Sequence, residues 1–384
     1  MRQILEISLQ NLKSLPRRLG PSLVAVIGVA GVVAVLVAVL SMARGFERTL
    51  MSGASPDNLV VLRSGSSSEL DSGLPGDQAR IIAQDPGIEA NSMEVFVMVD
   101  LEKVATDSMA NAPFRGVGLE AIAIREDMAI VEGRMFEPGR RELIAGRGAT
   151  GQYRGVRVGQ TLEFGSERWN VVGIFSGGGA AQSELWTDAA VLQDAFRRGT
   201  NFSSVRGRLA PGAAFEDVKD RLTTDPRLSV QVERETEYYA EQSEALSTFI
   251  SVAGYGIAAL MALGALFGAL NTMYTAVADR SREIGTLRAL GFAPVAIVTS
   301  VLLEAMLLAL AGGVIGASAA WLVFHGLTVS TLSFTSFTQV VFDFAVTPGL
   351  LFQGLVLALA IGFLGGLAPA VRAVRMPIVS ALRD

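Results

Sequence analysis

Residues 271–316 read NTMYTAVADRSREIGTLRALGFAPVAIVTSVLLEAMLLALAGGVIG, and this stretch decides the fold. A long uncharged run ends in the charged segment Asp279–Glu283, and a second apolar run begins near Pro294. The residues between them recur at the spacing of one helix face: Ile284, Leu287 and Leu290. Gly291 stands where a helix C-terminus favours glycine. The pattern predicts a short charged helix held between two membrane-spanning helices.

Two motifs closely resemble ABC transporter permeases of the FtsX/MacB/LolC type. The first is Arg-Glu-Ile-Gly-x-Leu-Arg-Ala-Leu-Gly at Arg282–Gly291, together with Leu-Leu-Glu-Ala at Leu302–Ala305. The second is the ending Pro-Ala-Val-Arg-Ala-Val-Arg-Met-Pro at Pro369–Pro377, followed by Ala-Leu-Arg at 381–383. A further stretch, Gly159–Ile174, resembles the periplasmic core domain of MacB-like proteins.

The composition also points to a membrane protein. Half of the 384 residues are hydrophobic and 18% are charged, which is too apolar for an ordinary soluble protein. The net charge of −5 gives no indication of nucleic-acid binding. Cysteine is absent, which excludes disulfides and thiolate metal sites. The single histidine, His325, argues against a histidine-rich metal site.

The expected fold class is a membrane protein with four transmembrane α-helices and a large α+β extracytoplasmic domain between the first and the second. About 20 apolar residues span a bilayer, and four segments qualify: 19–43, 245–278, 294–324 and 347–371. The first is uncharged over 25 residues, longer than the apolar core of a cleaved signal peptide, so we expect it to be retained. The second is long enough to continue out of the membrane as a stalk.

The distribution of arginine and lysine predicts the orientation. Positive residues concentrate in the N-terminal segment 1–18, in 279–291 and in the tail 372–384, whereas 326–342 contains none. The positive-inside rule then places both termini and the 279–291 helix in the cytoplasm of a bacterial inner membrane. Segment 1–18 has leucines at helical spacing and is expected to lie as an amphipathic helix on that surface. Segment 325–346 becomes a short extracytoplasmic loop.

The polar region 44–244 is expected to fold alone as an α+β domain. Two parts of it share a strand–helix–strand pattern with an Asp-Pro turn, which suggests two halves of one split subdomain. The first half contains Asn58–Leu62, Asp77–Gln84 and Glu94–Val99, and the second contains Ser203–Leu209, Phe215–Leu222 and Leu228–Val232. An inserted subdomain over about 105–200 has strands at Thr161–Phe164 and Trp169–Phe175, a loop at 177–179 and a helix over Glu184–Arg197.

Three groups of candidate functional residues follow. The first would contact an ATPase: Arg280, Arg282, Glu283, Ile284, Leu287 and Arg288. The second is Glu304, an intramembrane acid that has either a gating role or a structural partner. The third consists of glycine pairs that allow close helix packing, within the chain or in a dimer: Gly264 and Gly268, Gly312 and Gly316, and Gly362 and Gly366.

The resemblance implies how such a protein works. An ABC ATPase would dock under the 279–291 helix, and ATP and Mg²⁺ would bind to that ATPase, because this sequence contains no Walker A motif. A second permease, identical or homologous, would complete a dimer in membrane lipid, and the resemblance also allows a periplasmic adaptor protein. The motion would be passed to the outer domain to export or extract an amphipathic molecule or a lipoprotein. An FtsX-like transmitter that activates an extracytoplasmic enzyme is the alternative; an unrelated four-span receptor or membrane enzyme is a third.

Overall fold

A computed structural model describes residues 19–125, 127–164, 167–332 and 339–377. The expected amphipathic helix at 1–18 and the end of the tail at 378–384 lie outside the described residues. The chain divides into two compact units. The helical unit takes the described parts of Met1–Arg44, Phe249–Leu327 and Phe344–Asp384, and the α+β unit takes those of Gly45–Thr248 and Thr328–Asp343.

The helices in chain order are α1 (Leu19–Met51), α2 (Gly76–Ala83), α3 (Ala121–Ile124), α4 (Arg147–Gln152), α5 (Ala189–Ala195), α6 (Phe215–Thr224), α7 (Glu235–Asp279), α8 (Ser281–Ala289), α9 (Pro294–Phe324) and α10 (Pro348–Arg375). The strands are β1 (Asn58–Arg63), β2 (Ile88–Glu102), β3 (Met109–Val117), β4 (Ala129–Gly133), β5 (Glu142–Gly146), β6 (Thr161–Phe164), β7 (Glu167–Ser176), β8 (Leu185–Asp188), β9 (Ser204–Leu209), β10 (Val230–Arg234), β11 (Thr328–Leu332) and β12 (Gln339–Asp343).

Four helices, α1, α7, α9 and α10, are long and apolar enough to cross a membrane. Three of them are longer than the predicted spans, and α10 passes the end of its span by only four residues, ending at Arg375. Helix α1 continues past Ala43 to Met51, because Phe46 and Leu50 lie on one helix face and are buried. Helix α7 begins at Glu235 rather than near residue 245, and it is 45 residues long. At about 1.5 Å per residue that length exceeds a bilayer core of about 30 Å, as expected for a stalk.

Glycines set the close approach of helices within the helical unit. A Cβ on Gly312 would lie 2.6 Å from the Val26 carbonyl oxygen, and one on Gly316 would overlap the backbone of Ala30, so α9 meets α1 through these glycines. Both glycines of the third pair, Gly362 and Gly366, face α9 in the same way, with Ala309 Cβ 2.5 Å and Ala305 Cβ 2.6 Å from the added atom. Four of the six candidate glycines therefore pack within the chain.

The remaining pair provides a matched control for this assignment. No atom lies within 4 Å of a Cβ placed on Gly264 or Gly268 in α7. We expect Gly316→Leu to lower stability by about 1–3 kcal/mol, since overpacking forces neighbouring backbone apart, and Gly268→Leu to leave the folded monomer unchanged. Thermal unfolding of the detergent-purified monomer compares the two. Equal losses would contradict the packing described.

One mixed sheet forms the frame of the α+β unit, in the order β10-β1-β9-β2-β3-β8-β5-β7-β4, with β6 added to β7. Strand β2 connects its two parts, because Ile88–Glu94 pairs with β9 and Val95–Glu102 pairs with β3. The two similar segments predicted from the sequence do lie together. Strand β9 runs antiparallel between β1 and β2, and Ile82 of α2 and Phe215 of α6 share one core over them.

The segment between β2 and β9 forms the other part of the sheet, over a core that includes Phe114 and Trp169. The expected β6 and β7 are present, but the helix expected over Glu184–Arg197 is not continuous. Its first part is β8, which pairs with β3 and β5 and buries Trp186 completely. Helix α5 begins only after Asp188, whose carboxylate accepts a hydrogen bond from Ala190 N at 2.9 Å.

The segment expected to be a loop between the last two long helices contains a β-hairpin. Strands β11 and β12 pair antiparallel, and they group with the α+β unit. Val340 and Phe342 are buried, and the Phe342 ring meets the Phe46 ring edge-on at 5.6 Å. Val341 N also donates to Ser183 Oγ at 2.9 Å. The hairpin is therefore part of the packed core of this unit.

Candidate coupling site

Helix α8 is a short element with well-defined ends. It follows α7 directly, and Arg280 is its N-terminal flanking residue. At its other end, Phe292 N donates to Leu287 O at 3.1 Å and Gly291 takes a φ of +86°. This left-handed glycine closes the last turn as the sequence predicted, and Pro294 then begins α9.

The buried face of α8 packs on three long helices. Ile284 belongs to one core cluster with Met273 and Val277 of α7, Ile297 and Val301 of α9, and Ala370 and Ala373 of α10. Contacts with α7, α9 and α10 therefore determine the position of α8.

An ion pair attaches the beginning of α8 to α9. Arg280 donates through Nη1 and Nη2 to the two carboxylate oxygens of Glu304, at 2.8 and 3.2 Å. Their side chains are 7% and 6% exposed. Arg280 and Glu304 are the only charged residues that are buried within the described parts of the helical unit. Glu304 lies about 15 Å along α9, since a helix rises about 1.5 Å per residue. A two-point guanidinium–carboxylate bond fixes both distance and orientation.

A second contact attaches the end of α8. The Arg288 guanidinium donates to the backbone carbonyl of Met376, which directly follows α10. Helix α8 is thus held at Arg280 to α9 and at Arg288 to the end of α10.

The structure divides the residues that the sequence suggested for ATPase contact. Arg282 and Glu283 are exposed, and Leu287 and Arg288 are half-buried. Arg280 and Ile284 are buried in the interior of the helical unit, so neither presents a contact surface on this chain. Leu290, which the sequence did not single out for ATPase contact, is 71% exposed just beyond the end of α8 and adds an apolar side chain to the exposed surface of Arg282 and Glu283.

The pairing of Arg280 with Glu304 answers the question that the sequence left open for Glu304. Its partner stands 24 residues earlier, a separation that no local pattern connects. An intramembrane acid normally finds a partner inside the protein, which predicts that a partner exists without naming it.

Two family profiles match this chain. One is the FtsX-like permease C-terminal domain, over residues 255–378, which include α8, Glu304 and α10. The other is the MacB-like periplasmic core domain, over residues 22–225, more than half of the chain. This chain is an FtsX-like permease with a MacB-like periplasmic core domain.

Among the relatives of this FtsX-like permease are macrolide export ATP-binding/permease proteins named MacB. The protein MacB 1/2 of Paracoccus denitrificans is 24% identical, over 94% of this chain and 56% of its own length. MacB of Vibrio parahaemolyticus is 22% identical with the same coverage. The ABC transporter permease YvrN of Bacillus subtilis is 29% identical over 38% of this chain and 33% of its own length. The chain thus spans about half the length of these two MacB relatives, and its match to YvrN covers a third of that protein.

Solved structures also resemble parts of this permease. The periplasmic region of MacB from Actinobacillus actinomycetemcomitans aligns with a TM-score of 0.39 and 13% identity, over 48% of this chain and 92% of that one. The extracellular domain of the transporter YknZ aligns with a TM-score of 0.36 over 46% of this chain and 99% of that one. The family assignment rests on the two profiles.

Proposed function

We propose that this FtsX-like permease is the transmembrane part of an ABC transporter of the MacB/LolC type, in which ATP-driven motion enters at α8 and reaches the α+β unit. That motion exports or extracts an amphipathic molecule or a lipoprotein. The mounting of α8 supports this best. The exposed Arg282 and Glu283 lie on a helix that is fixed by the hydrogen bonds of Arg280 to Glu304 and of Arg288 to Met376 O, and by the apolar core around Ile284. An element that transmits motion has to be fixed to its neighbours in this way.

The proposed orientation follows from the charges around the long helices. Arg282, Arg288, Arg372 and Arg375 gather near α8 and the end of α10 in the sequence. The positive-inside rule puts these residues, with both termini, in the cytoplasm of an inner membrane. The α+β unit is then extracytoplasmic.

The partners proposed follow the same assignment. ATP and Mg²⁺ bind to an ABC ATPase, expected on a separate chain, and this chain holds no cofactor. A second permease or lipid covers the apolar side of α7, where Leu260 and Phe267 are 72% and 69% exposed beside Gly264 and Gly268. A periplasmic adaptor would bind the α+β unit.

The surface of α8 is tested by a double variant that leaves every arginine in place. Glu283→Ala with Leu290→Ala removes one exposed acid and one exposed apolar side chain, so the positive-inside signal is unchanged. We expect roughly tenfold weaker association with the ATPase, since truncating interface anchors costs about 1–2 kcal/mol or more. The ATPase recovered with the affinity-purified permease, identified by mass spectrometry, measures this.

A matched control is Glu132→Ala with Leu119→Ala. Both residues are exposed and lie in the α+β unit, and this pair should leave ATPase recovery unchanged. Full recovery with the α8 double variant would contradict the proposed docking surface.

A further inference from the structure

An arginine near the end of α10 lies on the face of a tyrosine ring of α7. The guanidinium carbon of Arg372 is 5.4 Å from the centre of the Tyr274 ring. Arg372 is exposed and Tyr274 is half-buried, and the exposed Arg375 follows within one turn of α10. We call these three residues the Arg372 cluster. None of them belongs to the surface proposed to contact the ATPase.

The cluster has hydrogen-bond donors that the protein does not use. An aromatic ring engages the flat face of a guanidinium, and the five N–H donors of the group lie in its plane. Among the described residues, Arg372 and Arg375 form no hydrogen bond or ion pair, and the Tyr274 hydroxyl has no hydrogen-bond partner. Two positive charges are therefore available to bind an anion.

The carboxylates of the same unit do not neutralise this charge. The acids in the described parts of the helical unit are Asp279, Glu283 and Glu304. Glu304 is paired with Arg280, and neither of the other two acids forms an ion pair with the cluster. A guanidinium binds adjacent oxygens through two parallel hydrogen bonds. An anion with such oxygens, for example a phosphate, therefore fits these donors.

Helices α7 and α10 run side by side up to the cluster. A Cβ on Gly365 of α10 would lie 2.8 Å from Ala269 Cβ of α7, so the two helices approach closely there. Arg372 and Tyr274 come about two turns and about one and a half turns after this contact, and the two helices are therefore parallel. The cluster lies at the end of an interface between two helices that are long and apolar enough to cross a membrane.

Apolar side chains are exposed beside this interface. Leu364 and Ala368 precede Arg372 at intervals of four residues, which places all three on one face of α10. Leu364 is 54% exposed. Phe267 lies about two turns before Tyr274 on the same face of α7, and it is 69% exposed. The helical unit thus presents positive charge at the end of two apolar surfaces.

This arrangement matches a phospholipid, whose phosphate is attached to apolar chains. The chain is uncharged from Phe344 to Val371, so Arg372 stands where the apolar run ends. Tyrosine is enriched at the boundary between membrane and water, and basic sites between transmembrane helices bind anionic headgroups. An acidic protein segment would satisfy the arginines but would leave Leu364 and Phe267 without an apolar neighbour.

We propose that the Arg372 cluster binds the phosphate of an anionic phospholipid. Arg372 is the main ligand, Arg375 adds a second charge and the Tyr274 hydroxyl adds a donor, while the acyl chains lie along Leu364 and Phe267. The site uses neither α8 nor an ATPase. It can therefore fail while the proposed coupling holds, and the coupling can fail while the site binds lipid.

Lipid binding is measured with a tryptophan in place of Tyr274, which keeps an aromatic ring beside Arg372. Of the three tryptophans in the sequence, Trp169 and Trp186 are completely buried in the α+β unit, and Trp321→Phe removes the other. The full-length Trp321→Phe/Tyr274→Trp permease is reconstituted in phosphatidylcholine bilayers that contain brominated phosphatidylglycerol, because bromine quenches an adjacent tryptophan. Brominated phosphatidylcholine provides the reference.

We expect phosphatidylglycerol to quench this tryptophan at a lower mole fraction than phosphatidylcholine does. Arg372→Gln should lower the preference for phosphatidylglycerol roughly fivefold, the effect of one basic residue near an anionic membrane surface. Arg282→Gln is the matched control, since it removes the same charge from an exposed position of α8 outside the cluster, and it should lower the preference much less. No preference in the parent protein, or an equal loss in the two variants, overturns the proposal.

Native mass spectrometry makes the same comparison without the reporter, and it decides the question if the tryptophan variant does not fold. The unmodified permease in detergent, given equal amounts of phosphatidylglycerol and phosphatidylethanolamine, should retain the phosphatidylglycerol. Arg372→Gln should retain less of it than Arg282→Gln does. Equal retention by these two variants also overturns the proposal.

Discussion

Glu304→Ala should destabilise the permease by about 3–5 kcal/mol, because it leaves the buried Arg280 without its carboxylate. Both side chains are over nine-tenths buried and joined by two hydrogen bonds. The double variant Arg280→Met/Glu304→Met should recover most of this loss, since apolar side chains of similar size replace a buried ion pair at little cost. Thermal unfolding of the purified protein in detergent measures all three proteins.

Glu283→Ala is the control for this experiment, since it removes an exposed acid from α8 in place of a buried one. It should change stability by less than about 0.5 kcal/mol. A Glu304→Ala variant as stable as this control would contradict the burial of the pair. A stable methionine pair that recovers less ATPase in the affinity purification would support a role for the ion pair in the proposed coupling.

Arg115→Leu should have an effect of similar or larger size on the α+β unit. Arg115 is 2% exposed and its guanidinium binds Glu69, Glu94 and Glu184, at 2.7–2.9 Å. Removing it leaves carboxylates in a dry interior with too few partners, at a cost of about 3–5 kcal/mol or more. The loss should appear as a lower thermal midpoint near neutral pH.

The same variant should invert the pH dependence of stability. In the native protein, burial acts to raise the pKa of Glu69, but Arg115 and Arg206 outweigh it and hold that pKa well below the ordinary 4.5. The stabilising contribution of the ionised Glu69 is therefore complete above about pH 4.5 and is lost as the pH falls towards the lowered pKa. Without Arg115, burial raises the pKa, so protonation relieves the repulsion and the variant should be more stable at about pH 5 than at about pH 7.5.

Arg227→Leu is the matched control. Arg227 pairs with Asp225 at 2.6 Å but is 66% exposed, so solvent screens the pair and its loss should leave the thermal midpoint almost unchanged at both pH values. An Arg115→Leu protein that is equally stable at both pH values would contradict the buried network.

The helices were predictable where the signal is local. Uncharged length located the four long helices, and the spacing of Ile284 and Leu287 with Gly291 located α8. The end of α1 and the start of α7 were not predictable in this way. Phe46 and Tyr238 are buried by packing, and these contacts extend the two helices beyond the uncharged runs. The sequence predicts a helix over 184–188, where the structure has strand β8, because a short run of this kind does not distinguish strand from helix without its partner strands.

The buried ion pairs could not be predicted from local sequence patterns. Glu94 and Arg115 lie in the consecutive strands β2 and β3, but Arg206 lies in the distant strand β9, and the pairing of β2 with both β3 and β9 brings the three together. A charged residue inside an otherwise apolar strand was the available signal, and it indicates a buried partner without identifying it. Arg280 and Glu304 were both singled out, but their pairing depends on how α8 and α9 pack.

The hairpin β11–β12 makes the α+β unit a discontinuous domain. A fragment cut at residues 44 and 244 would carry the main sheet but would lack Val340 and Phe342, and it would leave the Phe46 ring and Ser183 Oγ without their partners from β12. An exposed apolar patch of this kind favours aggregation. We therefore expect a two-segment version of the domain, with 328–343 joined through a linker or supplied as a separate peptide, to be more soluble than 44–244 alone.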